Sequence, residues 1–224
     1  MLTRLELGRI AGIPIYLDMM LVLVLIVFGW RYFTSGDMQL ISAGLIIIAG
    51  LIVSILLHEL GHAFAGRLFG VRTREIELMG LGGVARFAGA LPRSVLARTV
   101  IFLAGPAVNF GLWHGFGFLA GQAAGMNRLA LLQAMFALSI ANFWLMAFNL
   151  LPAYPLDGGH TLEAWLGRLL GPVWSTRIVA GLGLVVCAGV VWMAFPYNIW
   201  MLLLALILFQ INWSALSTVG GFRR

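Results

Sequence analysis

The sequence predicts an all-α polytopic membrane protein of about six transmembrane helices, with short strand or re-entrant segments near the cytoplasmic face. Three observations carry that prediction: an apolar composition, six separate apolar runs, and arginines gathered in alternate loops. Of the 224 residues, 62% are hydrophobic and only 10% are charged. Ordinary soluble domains carry about 45–50% apolar and about 25% charged residues. A soluble chain of this length cannot bury so much apolar surface, so lipid must solvate much of it.

The apolar runs cover 17–30, 41–69, 100–120, 130–151, 178–195 and 199–216. A spanning helix needs about 20 residues. The first run is short and must borrow from its flanks, and the second is long enough to emerge from the bilayer. The first run has no small-residue cleavage site behind it and is followed by further spans, so the start reads as mature protein. No internal repeat is visible, and no stretch reads as a separate soluble domain. Residues 1–224 are therefore read as one membrane-embedded domain.

Net charge is +6, and all 14 basic residues are arginines. They lie between apolar runs, which points to membrane orientation and away from nucleic acid. Arg4 and Arg9, then Arg67, Arg72, Arg74, Arg86, Arg93 and Arg98, then Arg168 and Arg177, then Arg223 and Arg224 fall on one side; only Arg31 and Arg128 fall on the other. The positive-inside rule makes the richer side cytoplasmic and puts both termini there, in a cell (cytoplasmic) membrane. The single Cys187 lies in an apolar run, which excludes an intrachain disulfide and a cysteine-rich metal site.

Two segments break the helical texture. Glu75-Ile76-Glu77-Leu78 alternates as a strand does, and Gly80, Gly82 and Gly83 then interrupt it. The arm from Leu2 to Tyr16 is similarly strand-like, with Pro14 just before the first apolar run.

The second run contains His58-Glu59-Leu60-Gly61-His62. Positions i and i+4 share a helix face, so both imidazoles reach one cation, and the glutamate about 100° around is close enough to act on a water there. The competing reading is polar packing between helices. Ionisable side chains of the acidic and basic types cost about 2.5–3.5 kcal/mol each within a span, which argues against ornament. A catalytic zinc takes three protein ligands. His114 sits between Trp113 and Gly115 inside an apolar run, where a packing role suits it better than ligation. Asp157 is the stronger third ligand and His160 merely follows it. Asp157 comes after Pro152 and Pro155, which cannot continue the fourth helix and so unwind it. Taken alone, Asp157-Gly158-Gly159 would equally suit a helix N-cap. Topology favours ligation: the second and fourth spans both run toward the cytoplasm, which brings both polar clusters to one depth range.

These segments resemble the site-2 protease family of intramembrane zinc metalloproteases. The likeness is carried by His58-Glu59-Leu60-Gly61-His62, by Gly105-Pro106-Ala107-Val108-Asn109, and by Asn149 through Gly159. Gly12-Ile13-Pro14-Ile15 and Leu81-Gly82-Gly83 are also similar to family sequences, and the chain resembles the compact six-span group that includes the sporulation pro-sigma-factor proteases. The resemblance implies one metalloprotease domain over 1–224, with one Zn2+ per chain on His58, His62 and Asp157. Glu59 would serve as the base, and Asn149 and Asn109 would orient substrate or support the oxyanion. It implies cleavage of membrane proteins at or near a transmembrane segment, as in regulated intramembrane proteolysis. The partners are then such a substrate and the lipid bilayer, with no nucleic acid. A cut segment must unwind, and an added strand against Glu75–Leu78 is one expected way to hold it. Asp18 stands where many members carry a histidine. The peptide-binding insert and nucleotide-binding extension of other groups have no counterpart, so neither is expected to regulate this chain. A zinc transporter, or an inactive relative that binds membrane partners, would use some of the same residues.

Overall fold

The structure, a computed structural model, describes residues 4–80, 82–126, 128–196 and 198–220. Leu2, Leu81, Arg223 and Arg224, named above, lie outside the described residues. The order of elements is β1 (Arg4–Ile10), β2 (Ile13–Asp18), α1 (Met19–Phe33), α2 (Met38–Leu68), β3 (Arg72–Met79), β4 (Gly82–Ala88), α3 (Val95–Gly125), α4 (Leu129–Asn149), α5 (Asp157–Leu170), α6 (Pro172–Ala194) and α7 (Ile199–Gly220). Helices dominate, and both segments with strand character are strands.

Among the described residues five helices, α2, α3, α4, α6 and α7, are long and apolar enough to cross a bilayer, and the chain is a multi-pass membrane protein. The sixth expected span is α1, whose 15 residues cover roughly 22 Å at 1.5 Å per residue. That is less than the hydrocarbon thickness of about 30 Å. The shortfall has a local cause. Leu17 and Asp18 close strand β2, and Asp18 caps α1 by accepting a hydrogen bond from the Met20 amide at 2.7 Å. Asp18, the departure from the family's histidine, is thus a helix cap here.

The described chain divides into two compact units, 1–91 with 104–146, and 92–103 with 147–224. In the first, four strands form one sheet in the order β1-β2-β3-β4. The hairpin β1–β2 turns at Ala11 and Gly12, both at positive φ, and Arg67 donates to the Ala11 carbonyl at 3.0 Å. β2 pairs with β3 in parallel, the connection passing through α1 and α2, and β3 pairs with β4 in antiparallel fashion. Arg86 bonds Glu77 at 2.7 Å and lies 3.3 Å from Glu75, which holds the β3–β4 ladder on its polar face. Accepting that bond, Glu77 raises the Arg86 pKa.

The other sheet face is apolar. Ile13 and Ile15 of β2 and Ile76 and Leu78 of β3 pack against Leu21 and Leu25 of α1 and Ile55, Leu60 and Ala63 of α2. The same stretch of α2 that carries the HELGH motif thereby rests on the sheet. Deeper in the helical part, Ala43 of α2, Ala120 of α3 and Ala134, Met135 and Leu138 of α4 form a second cluster. Small residues allow these close crossings, as membrane helices require. At Gly61 an added Cβ would lie 2.8 Å from the Ala104 carbonyl oxygen, so only glycine lets α2 and α3 meet there.

In the second unit, α5 packs on α6 and α6 on α7. Tyr154, Val179 and Ala180 form its buried centre, with Leu162, Leu166, Ile211, Ala215 and Leu216 around them. α4 ends at Asn149, and the segment 150–156 with its two prolines is irregular, as the sequence requires.

Candidate metal centre

In a 31-residue helix the only histidines are His58 and His62, one turn apart on the buried side of α2. Their Nε2 atoms face each other at 3.1 Å, with the rings nearly perpendicular. Two zinc-bound imidazole nitrogens, at bond lengths of about 2.0–2.1 Å in a tetrahedral shell, stand about 3.3 Å apart. The observed spacing suits a shared cation.

A buried polar chain fixes which nitrogen faces inward. Asn142 on α4 donates through Nδ2 to the Leu138 carbonyl at 2.9 Å and to Ser54 Oγ at 3.0 Å. A carbonyl can only accept, so that end of Asn142 is its NH2 group. Its Oδ1 accordingly accepts from Asn109 Nδ2 at 2.8 Å. Asn109 then presents Oδ1 to His58 Nδ1, which must carry the proton. In the neutral imidazole His58 Nε2 is then the acceptor nitrogen, and it faces His62 Nε2. Ser54 completes the chain by donating to the Gly50 carbonyl at 2.8 Å. Asn109 and Asn142 are fully buried, so their polar atoms find their partners within the protein. Outer-layer hydrogen bonds of this kind set the tautomer and basicity of ligating histidines.

Two glycines admit the site's neighbours. An added Cβ at Gly105 on α3 would overlap the Nε2 atoms of both histidines, so the space before them exists because Gly105 lacks a side chain. Gly83 on β4 lies against Glu59, where a Cβ would fall 2.7 Å from Glu59 Oε1. Glu59 is 5% exposed and thus brought to the edge strand of the sheet. The donor set, the nitrogen spacing and the glycine-lined space fit a zinc ion.

Asp157, in the second unit, is the first residue of α5, whose N-cap is Leu156 without a side-chain cap bond. Asp157 thus stands one residue past the N-cap position, in the first turn of the helix. Its side chain is buried. The loop before it is clamped: Asn212 on α7 donates to the Tyr154 carbonyl at 2.8 Å and accepts from the Tyr154 amide at 3.1 Å. An added Cβ at Gly183 would strike the Asn212 amide, so α6 must be bare at that position. Gly158 and Gly159 sit tight against the Leu150 and Ala153 carbonyls and admit no side chain. Nothing in the sequence pattern singled out Asn142, Ser54 or Asn212. Each is a polar residue within an apolar run, which is the one available signal.

The remaining residues are placed as follows. Asn149 closes α4 and is half-buried. His114 is exposed on α3 among aromatic rings, 4.6 Å from Phe110 and 4.4 Å from Trp113. His160 stacks on Phe102 at 5.0 Å and pairs with Glu163 at 3.7 Å. Neither histidine joins a cluster of three metal-capable side chains among the described residues. Strand β3 is bonded on both sides, at Ile15–Leu17 and at Glu75–Met79 with β4, so no strand can add at Glu75–Leu78. Among the described residues the edge strands are β1 and β4.

The sequence profile of peptidase family M50 matches residues 46–120 and 111–193. A zinc metalloprotease of Methanocaldococcus jannaschii is 35% identical over 178 residues, covering 80% of this chain and 50% of the relative. Stage IV sporulation protein FB of Bacillus subtilis is 28% identical over 147 residues, covering 66% of this chain and 48% of the relative. The chain thus spans about half the length of these curated relatives. The solved structure of a site-2 protease from Methanocaldococcus jannaschii is similar with a TM-score of 0.68 and 27% identity, covering 96% of this chain and 95% of that one.

The clamp on the loop before Asp157 is directly measurable. In Asn212→Leu the Tyr154 amide loses its acceptor, and its hydrogen exchange should rise by about tenfold or more, the loss of a buried bond worth about 1–3 kcal/mol. Unchanged protection at Tyr154 would show that the loop is held by other means.

Proposed function

The chain belongs to peptidase family M50, and from that premise we propose that it is an intramembrane zinc metalloprotease that cuts membrane proteins within or near a transmembrane segment. The observation that carries this reading is the preset histidine pair: two buried Nε2 atoms 3.1 Å apart, one with its tautomer fixed by Asn109. The proposed ligands of one zinc per chain are His58, His62 and Asp157, two imidazoles and a carboxylate, all buried. The two units would then act as a single metalloprotease domain over 1–224. A transporter reading finds no support in the family or in any repeated halves.

Bound there, zinc would supply Lewis acidity, polarising the scissile carbonyl and lowering the pKa of a water toward about 7. Glu59 would take a proton from the attacking water and deliver it to the departing amide nitrogen as the C–N bond breaks. Water is consumed, and a carboxylate and an amine leave. Asn149 is proposed to donate its side-chain amide to the substrate carbonyl. Asn109 is engaged at both ends, with His58 and Asn142, and is proposed as a positioning residue for the metal ligand.

An extended substrate segment is best held on the free edge of β4, because Gly83 on that strand abuts Glu59. We propose six spans, with α1 completing its crossing through the flanking β2 residues. Both termini face the cytoplasm of a cell membrane, on the count of twelve arginines against two.

Three outcomes test the reading. Zinc measured on the purified full chain should be about one per chain and mostly lost in Asp157→Ala; full zinc in that variant would remove Asp157 from the ligand set. Glu59→Gln should keep its zinc and lose cleavage of single-span substrates in proteoliposomes by about a hundredfold or more. Persistent turnover there would falsify the assigned base. A photo-crosslinker in the cut segment should capture β4 residues, and capture on β1 instead would move the substrate to the other edge.

A further inference from the structure

Within the second unit, the start of α3, the middle of α5 and the start of α6 enclose a pocket of about 380 Å³ lined by Arg93, Arg98, Arg168, Glu163 and Ser175. Three guanidinium groups share it with one carboxylate. That carboxylate is already committed: Glu163 accepts from Thr176 at 3.3 Å and pairs with His160, whose hydrogen bond lowers the Glu163 pKa. Among the described residues none of the three arginines forms an ion pair. Arg98 Nε is buried without a hydrogen-bond partner. The first turn of the 23-residue helix α6 adds its positive dipole end through Ser175. The pocket thus sets three guanidinium groups against one carboxylate and carries positive charge and donors in excess.

Its surroundings identify the source of that anion. α5 is a 14-residue amphipathic helix between two helices of spanning length, the pattern of a helix that lies along a membrane face. Leu169, Leu170, Val173 and Trp174 follow Arg168 directly, and all are exposed. Trp165 is exposed as well and is fixed by a 3.0 Å hydrogen bond to Thr99. Tryptophan and leucine next to arginine at a span end mark the headgroup layer, where apolar groups enter the acyl boundary and cations meet phosphates. Basic pockets between spanning helices on the cytoplasmic side bind anionic lipid headgroups.

We propose that this pocket is a binding site for an anionic phospholipid, its phosphate held by Arg93, Arg98 and Arg168 and its acyl chains lying over Leu169, Leu170 and Trp174. A free phosphate offers the same oxygens but gains nothing from the exposed apolar side chains.

The test is native mass spectrometry of the full chain released from nanodiscs of phosphatidylcholine containing a minor fraction of phosphatidylglycerol. Wild type should retain phosphatidylglycerol selectively. The exposed pair Arg93→Gln with Arg168→Gln should weaken its retention on the order of thirtyfold, taking both arginines as phosphate contacts. Arg31→Gln with Arg128→Gln, which removes the same charge elsewhere, should behave as wild type. Thermal unfolding in pure phosphatidylcholine should be the same for both variants, which separates lost binding from lost fold. Equal retention in the pocket variant, equal loss in the control variant, or no preference over phosphatidylcholine in wild type would each overturn the proposal. Displacement of the lipid by millimolar inorganic phosphate would overturn the lipid assignment in favour of a simple anion site.

Discussion

The hydrogen-bond chain from the Leu138 carbonyl through Asn142 and Asn109 to His58 is the constraint on which the histidine pair depends. In an apolar interior every polar group must find a partner within the protein, and a chain of amides has only one orientation that satisfies all its members. Here a backbone acceptor fixes that orientation from one end, and the consequence at the other end is that His58 turns Nε2 toward His62 Nε2, 3.1 Å away. The packing of the surrounding helices thus holds two imidazole nitrogens at a spacing that suits a shared metal ion.

The same economy of small residues recurs wherever function needs close approach. Gly61 brings α3 against α2, Gly105 clears the space before the imidazoles, and Gly83 lets the edge strand reach Glu59. In the second unit Gly183 admits Asn212, whose side chain pairs with the Tyr154 backbone as another strand would. A loop broken by two prolines would otherwise leave its polar backbone unsatisfied in a membrane protein.

Much of this was legible in the sequence because membranes impose coarse rules. Five of the six apolar runs are helices of spanning length, and the alternation at Glu75–Leu78 and along the N-terminal arm is that of strands. The histidine spacing in α2 needed only helical periodicity. The limits are equally physical. A hydropathy run does not show that Leu17 and Asp18 belong to a strand, because strand and helix bury leucine alike. Which strands pair is a long-range matter, so β3 looked available for a substrate although β2 and β4 occupy both its sides. Asn142 and Asn212 were invisible as partners because nothing local records what lies across a helix interface.

Zinc X-ray absorption on the metal-loaded chain asks whether His58 and His62 hold the ion together. The expected first shell is nitrogen and oxygen at about 2.0–2.1 Å with multiple scattering from two imidazole rings, falling to one ring in His58→Ala. A wild-type spectrum showing one imidazole or none would contradict it.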